Sequence, residues 1–257
     1  MDKALLIPGL PADLIIAAYK KAPGNEIDSG KFNSPESSAA LAANTFGYFL
    51  DKRPEALPLL PGLPESDWPP VEIPKLEATV RFPWAGGRHP CLDALIVTKS
   101  LLIGLESKRF EPFRTRDRKP LSEAYRRAVW GTEMKGYEAC RDRLFSGERG
   151  FERLDVAQLM KHAFGLRTAA HHKEHRGKRP VLFYLFAEPE RWTDGVAIAD
   201  TVRQQHRDEI ESFSQLVAQD EVQFVACSYR QLLAGWAEHA DTNIRAHAAM
   251  IAIRFAP

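Results

Sequence analysis

Two short apolar runs, at residues 94–97 and 101–105, lie on either side of a tight polar turn and read as buried strands. Residues 76–82 alternate and predict a strand before them. The wholly apolar run at 181–187 and the run at 222–227 predict two more. Helical patterning covers 11–21, closed by Pro23 and Gly24, and 34–50, with Pro35 at the first position and Glu36 and Ser37 in the first turn. It returns over 121–145, 154–168, 197–218 and 230–239, with one more short element over 243–254. Residues 53–74 hold seven prolines and read as an irregular connection. Helix, three strands, helix, strand, helix, strand fits an α/β fold with a central mixed sheet flanked by helices. A single domain over 1–257 is expected, with an N-terminal helical extension at 1–33 and a helical insertion at 111–150.

Charged residues at the ends of buried strands are costly unless something pairs with them. Asp93, Glu106 and Lys108 stand at such ends, in HPCLDALIVTKSLLIGLESKR. If Lys99 and Ser100 form the loop, Thr98 faces Leu101 and Asp93 falls opposite Glu106, about 5.5 Å apart at Cα and on one face. Lys108 shares that face and Ser107 points away. Lys-Ser is not a preferred two-residue turn, and a slip of one residue would part the pair. Two such carboxylates suit a hard divalent cation, with the Ser107 carbonyl as a third oxygen. Like charges side by side are unfavourable without one. Lys108 is then placed to orient or help deprotonate a metal-bound water, or to stabilise developing charge. The bland alternative is a hairpin end carrying a solvated ion pair.

The segment resembles the PD-(D/E)XK nuclease superfamily, its signature here being Pro90, Asp93 and Glu106-Ser107-Lys108. More closely it resembles a group of bacterial restriction-endonuclease-like proteins. That likeness is carried by SPESSAALAANTFGYF, LEATVRFPWAGGRHPCLDALI, IGLESKRFEP and DVAQLMKHAFGL, over about residues 34–229. Two residues separate Pro90 from Asp93, where the motif has them adjacent, which weakens only the proline of the motif. The resemblance implies an αβββαβ core and a magnesium-dependent nuclease, with manganese as a substitute. Asp93 and Glu106 would be ligands and Lys108 the catalytic lysine. It also implies a metal-site role for Glu36, from the first core helix, although helix-end charge alone accounts for an acid there. Gln158, with His162 one turn later, resembles the Gln-xxx-Tyr pair on the helix after the hairpin in related nucleases, with histidine replacing the aromatic. A half-exposed helix face accounts for that pair equally well. Glu77, at the start of the first strand, either reaches the metal edge or is solvated.

Among 257 residues, 44% hydrophobic and 27% charged, the composition is that of an ordinary globular protein. The net charge of +1 hides two basic segments. Residues 108–127 carry eight Lys and Arg against three acids, and 161–179 carry six against one, with four histidines. Both are expected to contact the backbone of DNA. Zinc at His171, His172 and His175 lacks a fourth ligand, so that loop is expected to face DNA. Three cysteines without CxxC spacing argue for a reducing compartment, and with no long apolar run the protein is expected to be cytoplasmic. No Walker loop, GxGxxG or GxSxG is present. An endonuclease acting on DNA is the leading expectation, and paired-strand cutting would favour a homodimer. A nucleic-acid-binding protein that keeps the fold without chemistry, or a buried ion-pair network at the three residues, remain as alternatives.

Overall fold

The computed structural model describes residues 6–24, 26–115, 120–148 and 150–257. Its centre is a five-stranded sheet in the order β1 (Lys75–Thr79), β2 (Cys91–Val97), β3 (Leu101–Lys108), β4 (Arg179–Phe186), β5 (Gln223–Ser228). The first three strands are antiparallel, and β3, β4 and β5 are mutually parallel. The parallel strands are apolar almost throughout because helices cover both of their faces.

The helices are α1 (Ala12–Lys21), α2 (Ser38–Phe46), α3 (Lys135–Ser146), α4 (Val156–His171), α5 (Asp200–Leu216), α6 (Tyr229–Ala237) and α7 (Thr242–Phe255). Among the described residues, two large hydrophobic cores flank the sheet. Leu101, Ile103 and Leu105 of β3 pack into one, with residues of α1, α2, α6 and α7. Leu102 packs into the other, with residues of α3, α4 and α5. This is the α/β architecture of a restriction-endonuclease-like core. No helix among the described residues is long and apolar enough to cross a membrane.

Two helices differ from the sequence expectation. The first core helix begins at Ser38, not Ser34, because the Ser37 hydroxyl caps it by accepting from the Ala40 N–H at 3.0 Å. Glu36 therefore lies outside the helix. Over 121–145 the chain makes only a short 3-10 turn at Glu123–Arg126 and then α3. Between them the aromatic residues serve the core: Trp130 stacks on Phe164 at 4.0 Å and donates its indole N–H to the Tyr125 carbonyl at 3.1 Å. Gly131 follows at φ 79, which ordinary residues avoid.

One glycine sets how closely α4 approaches the sheet. A Cβ on Gly104 would lie 2.7 Å from both Leu166 methyls and 2.8 Å from Leu92. Gly104→Val should therefore lower stability by about 1–3 kcal/mol through overpacking. The check is thermal unfolding, where a drop of several degrees is expected; an unchanged midpoint would mean that α4 tolerates a larger gap.

Candidate active site

The β2–β3 register is the one read from the sequence. Ala94 pairs with Leu105, Leu95 with Gly104 and Val97 with Leu102. The turn is held without a favoured turn sequence. Thr98 Oγ1 accepts from the N–H groups of Ser100 and Leu101 at 3.2 and 2.9 Å, and Ser100 donates its hydroxyl to Asp67 at 2.5 Å.

Past Ala94 the ladder parts. The Ser107 N–H donates to the Asp93 carboxylate at 2.6 Å instead of to the main chain of β2. The neighbouring pair does the same in its own way. Leu76↔Ala94 and Ala78↔Leu92 flank Glu77, which sits at φ 50. Leu76 and Ala94 pack into one core, Ala78 and Leu92 into the other. Both strands therefore roll over at Glu77 and Asp93. A non-glycine residue at positive φ is costly and persists only where its surroundings over-determine it.

Glu106 is 2% exposed. Lys108 Nζ lies 2.5 Å from its Oε1, and His162 Nε2 lies 3.3 Å from its Oε2. Burial holds the His162 pKa below its ordinary value, which favours the neutral ring beside Glu106. Its Nδ1 is buried without a hydrogen-bond partner among the described residues. Burial would lower the Lys108 pKa, but Glu106, Glu111 and Asp93 outweigh it and keep the ammonium charged. The Asp93 carboxyl is raised well above the carboxylate range, first by burial and then by Glu106, with Lys108 and the Ser107 N–H opposing. Burial, aided by Glu26 and Glu106, pushes Glu77 up to about 7, while Cys91 Sγ donates to it at 3.4 Å.

A second set of contacts holds this edge from behind. Ser107 Oγ and Tyr229 Oη are 2.7 Å apart. Ser38 Oγ donates to Glu111 at 2.5 Å, and the Arg109 N–H donates to the other Glu111 oxygen at 2.9 Å. The buried Arg109 guanidinium donates to the carbonyls of Pro35 and Phe255. It thereby ties the end of α7 and the approach to α2 to the end of β3.

The structure thus brings together Asp93, Glu106, Ser107 and Lys108. Glu36 is engaged elsewhere, ion-paired with Arg114 and accepting from Thr193 Oγ1 at 2.9 Å. Gln158 is half-buried in the first turn of α4, one turn before His162. Glu111 and Tyr229 were not singled out by sequence. The signal for Glu111 was its place three residues after Lys108, beside a buried strand end. Among the described residues, no group of three or more His, Cys, Asp or Glu side chains is arranged to hold a metal ion.

The second basic segment is not where its sequence position suggested. Helix α4 runs back along β3: His162 meets Glu106, and Leu166 meets Gly104. Its far end, with His171, His172 and His175, therefore reaches the hairpin turn. Arg179 pairs with Leu101, and Lys178 donates to the Thr98 carbonyl at 2.5 Å. The histidine-rich loop lies at the opposite end of the sheet from Glu106.

A mixed sheet whose diverging hairpin carries acid, acid and lysine defines a restriction-endonuclease-like protein. Residues 16–252 match the family described as restriction endonuclease associating with ARP, and the chain belongs to that family. Searches of curated proteins and of solved structures find no match.

The raised Glu77 pKa has a thermodynamic consequence. An acid whose folded pKa is above its unfolded one destabilises the fold increasingly as pH rises from about 4.5 to about 7. In chelator, Glu77→Gln should therefore be more stable than wild type at pH 8, by about 1–3 kcal/mol, with the gap closing by pH 5. Denaturant titrations at the two pH values check this; a gap independent of pH would contradict it.

Proposed function

We propose that this protein is a divalent-metal-dependent phosphodiesterase, an endonuclease acting on DNA. The observation that carries the reading is the Asp93–Glu106 pair on the parting hairpin, with Lys108 beside it. The residues fit a hard cation. Both carboxylates are oxygen donors, and burial beside Glu106 disfavours Asp93 as an anion. In a strand the carbonyl of a residue points to the same edge as its N–H, so the Ser107 carbonyl faces Asp93. Asp93, Glu106 and the Ser107 carbonyl would hold magnesium, or manganese in its place. When bound, the ion supplies an acidified water and neutralises charge on the phosphate.

The chain's own groups do the rest. Lys108, held charged between Glu106 and Glu111, offers a cation to the phosphate; it does not serve as a base in this state. His162 fixes the far oxygen of Glu106. Glu77 adds a third acid whose strained backbone sets it next to Asp93 on the neighbouring strand. The name of the family supports one partner: association with ARP is proposed for this chain too.

A second reading, a nucleic-acid-binding protein without chemistry, is favoured by the direct Lys108–Glu106 ion pair, which occupies one would-be ligand oxygen. Manganese titration by calorimetry separates the two, on wild type and Asp93→Ala, with and without duplex DNA. Nuclease action predicts binding in wild type, lost in the variant, and cleavage reduced more than about a hundredfold, since even partners of ligands are worth 10–100-fold. DNA binding indifferent to metal in both proteins would support the second reading. Lys108→Met should keep metal binding while losing cleavage, and a variant that still cuts would remove the lysine from the mechanism.

A further inference from the structure

We infer that duplex DNA is held by a basic face built from the β1–β2 loop, the segment at 122–130 and the first half of α4, and not by the histidine-rich loop. This rests on the DNA reading above and deepens it.

Placement comes first. β1 runs parallel to β3, since each is antiparallel to β2. The loop at 80–90 therefore emerges at the Glu106 end of the sheet. Lys161, adjacent to His162 on α4, belongs to the same end. The hairpin-turn end is about 23 Å away, the length of an eight-residue strand.

Neutralisation comes second. Near the hairpin turn several cations are already used, while exposed Lys99, Lys173 and Arg176 have no acidic partner among the described residues. Arg179 pairs with Asp67, Arg167 and His171 both pair with Glu221, and Lys178 donates to two carbonyls. At the Glu106 end, Arg81, Arg88 and Arg127 are exposed and have no acidic partner among the described residues. A polyanion gains from meeting unneutralised charge, because each phosphate contacted releases bound counterions.

Preorganisation comes third. Arg127 lies over the Trp84 ring at 4.9 Å and Lys161 over the Tyr125 ring at 5.8 Å. Trp84 is stacked on Phe82, and Phe82 meets Tyr125 edge-on at 5.5 Å. Trp84 also meets Trp130, which stacks on Phe164 of α4. The loop is thus fastened through aromatic rings to the helix that carries His162 against Glu106. A guanidinium already held on a ring loses less freedom on binding phosphate. The loop tip stays open, since Gly86 and Gly87, at φ 79 and 76, have nothing within 4 Å of a would-be Cβ. Such a tip allows close approach of a backbone.

The experiment is fluorescence anisotropy with a labelled duplex, in chelator, over a salt series, on the full chain. Arg88→Ala with Arg127→Ala should flatten the slope of log K against log salt by about 2 and weaken binding at least tenfold at low salt. Arg88→Ala alone, which removes no ring contact, should flatten it by about 1. Lys173→Ala with Arg176→Ala, in the histidine-rich loop, should leave the slope at the wild-type value. Slopes changed only by the Lys173 and Arg176 pair, or by neither pair while wild type still cleaves duplex in manganese, would overturn the surface and spare the nuclease. Wild type that neither binds nor cleaves duplex would overturn the nuclease reading and this one with it.

Discussion

The burial of one carboxylate, Glu106, is the constraint on which the rest depends. An acid at 2% exposure is tolerable only with near-complete compensation. Lys108 supplies a charge on one oxygen, and the imidazole of His162 lies against the other. Each of these needs its own support. Lys108 is flanked by Glu111, which Ser38 and the Arg109 N–H hold in place. His162 reaches the sheet because Gly104 lets α4 lie close. Removing any one of these leaves a buried group short of a partner, so the site and the packing around it are a single problem.

The parting of the strands follows from the same constraint. Had the β2–β3 ladder continued, Asp93 and Glu106 would be ordinary cross-strand neighbours with repelling charges. Instead the Asp93 carboxylate replaces a main-chain acceptor for Ser107, and the β1–β2 pair rolls over at Glu77. The roll moves Leu92 and Ala78 into the α4-side core, while Leu76 and Ala94 stay in the other. The strain at Glu77 is a local cost offset by packing on both faces.

What was legible in the sequence was whatever local geometry decides. The sum rule needed only a two-residue turn and holds from Val97↔Leu102 to Ala94↔Leu105, but not at Asp93, where the ladder parts; Thr98 Oγ1 holds that turn although Lys-Ser does not favour it. The apolar runs of β3 and β4 were plain because parallel strands are buried on both faces. Less legible was anything set by tertiary contact. The start of α2 depended on which of three nearby serines turned its hydroxyl inward. The aromatic segment before α3 looked helical because stacking on α4, not periodicity, orders it. The histidine-rich loop seemed to flank the site because it follows His162 in sequence, whereas a helix antiparallel to β3 carries it to the other end. Glu111 gave no pattern of its own, being defined by the lysine it faces.

Charge balance at the site then orders events. Around Lys108 stand Asp93, Glu106 and Glu111, and burial first, then neighbouring acids, raises the pKa of Asp93 and of Glu77 beside it. A phosphate approaching this edge unaided would meet net repulsion. On the proposed reading, a cation held by Asp93 and Glu106 would offset that repulsion. On the same reading, the polyanion would be held by charge located elsewhere, and exposed Arg81, Arg88 and Arg127 lie at the same end of the sheet without acidic partners among the described residues. Separating the groups that hold the nucleic acid from those that hold the cation lets each sit in the electrostatic surroundings it needs. An acidic pocket beside a basic face is the form the proposed metal-dependent site would take, and a chain with both can carry a total charge close to zero.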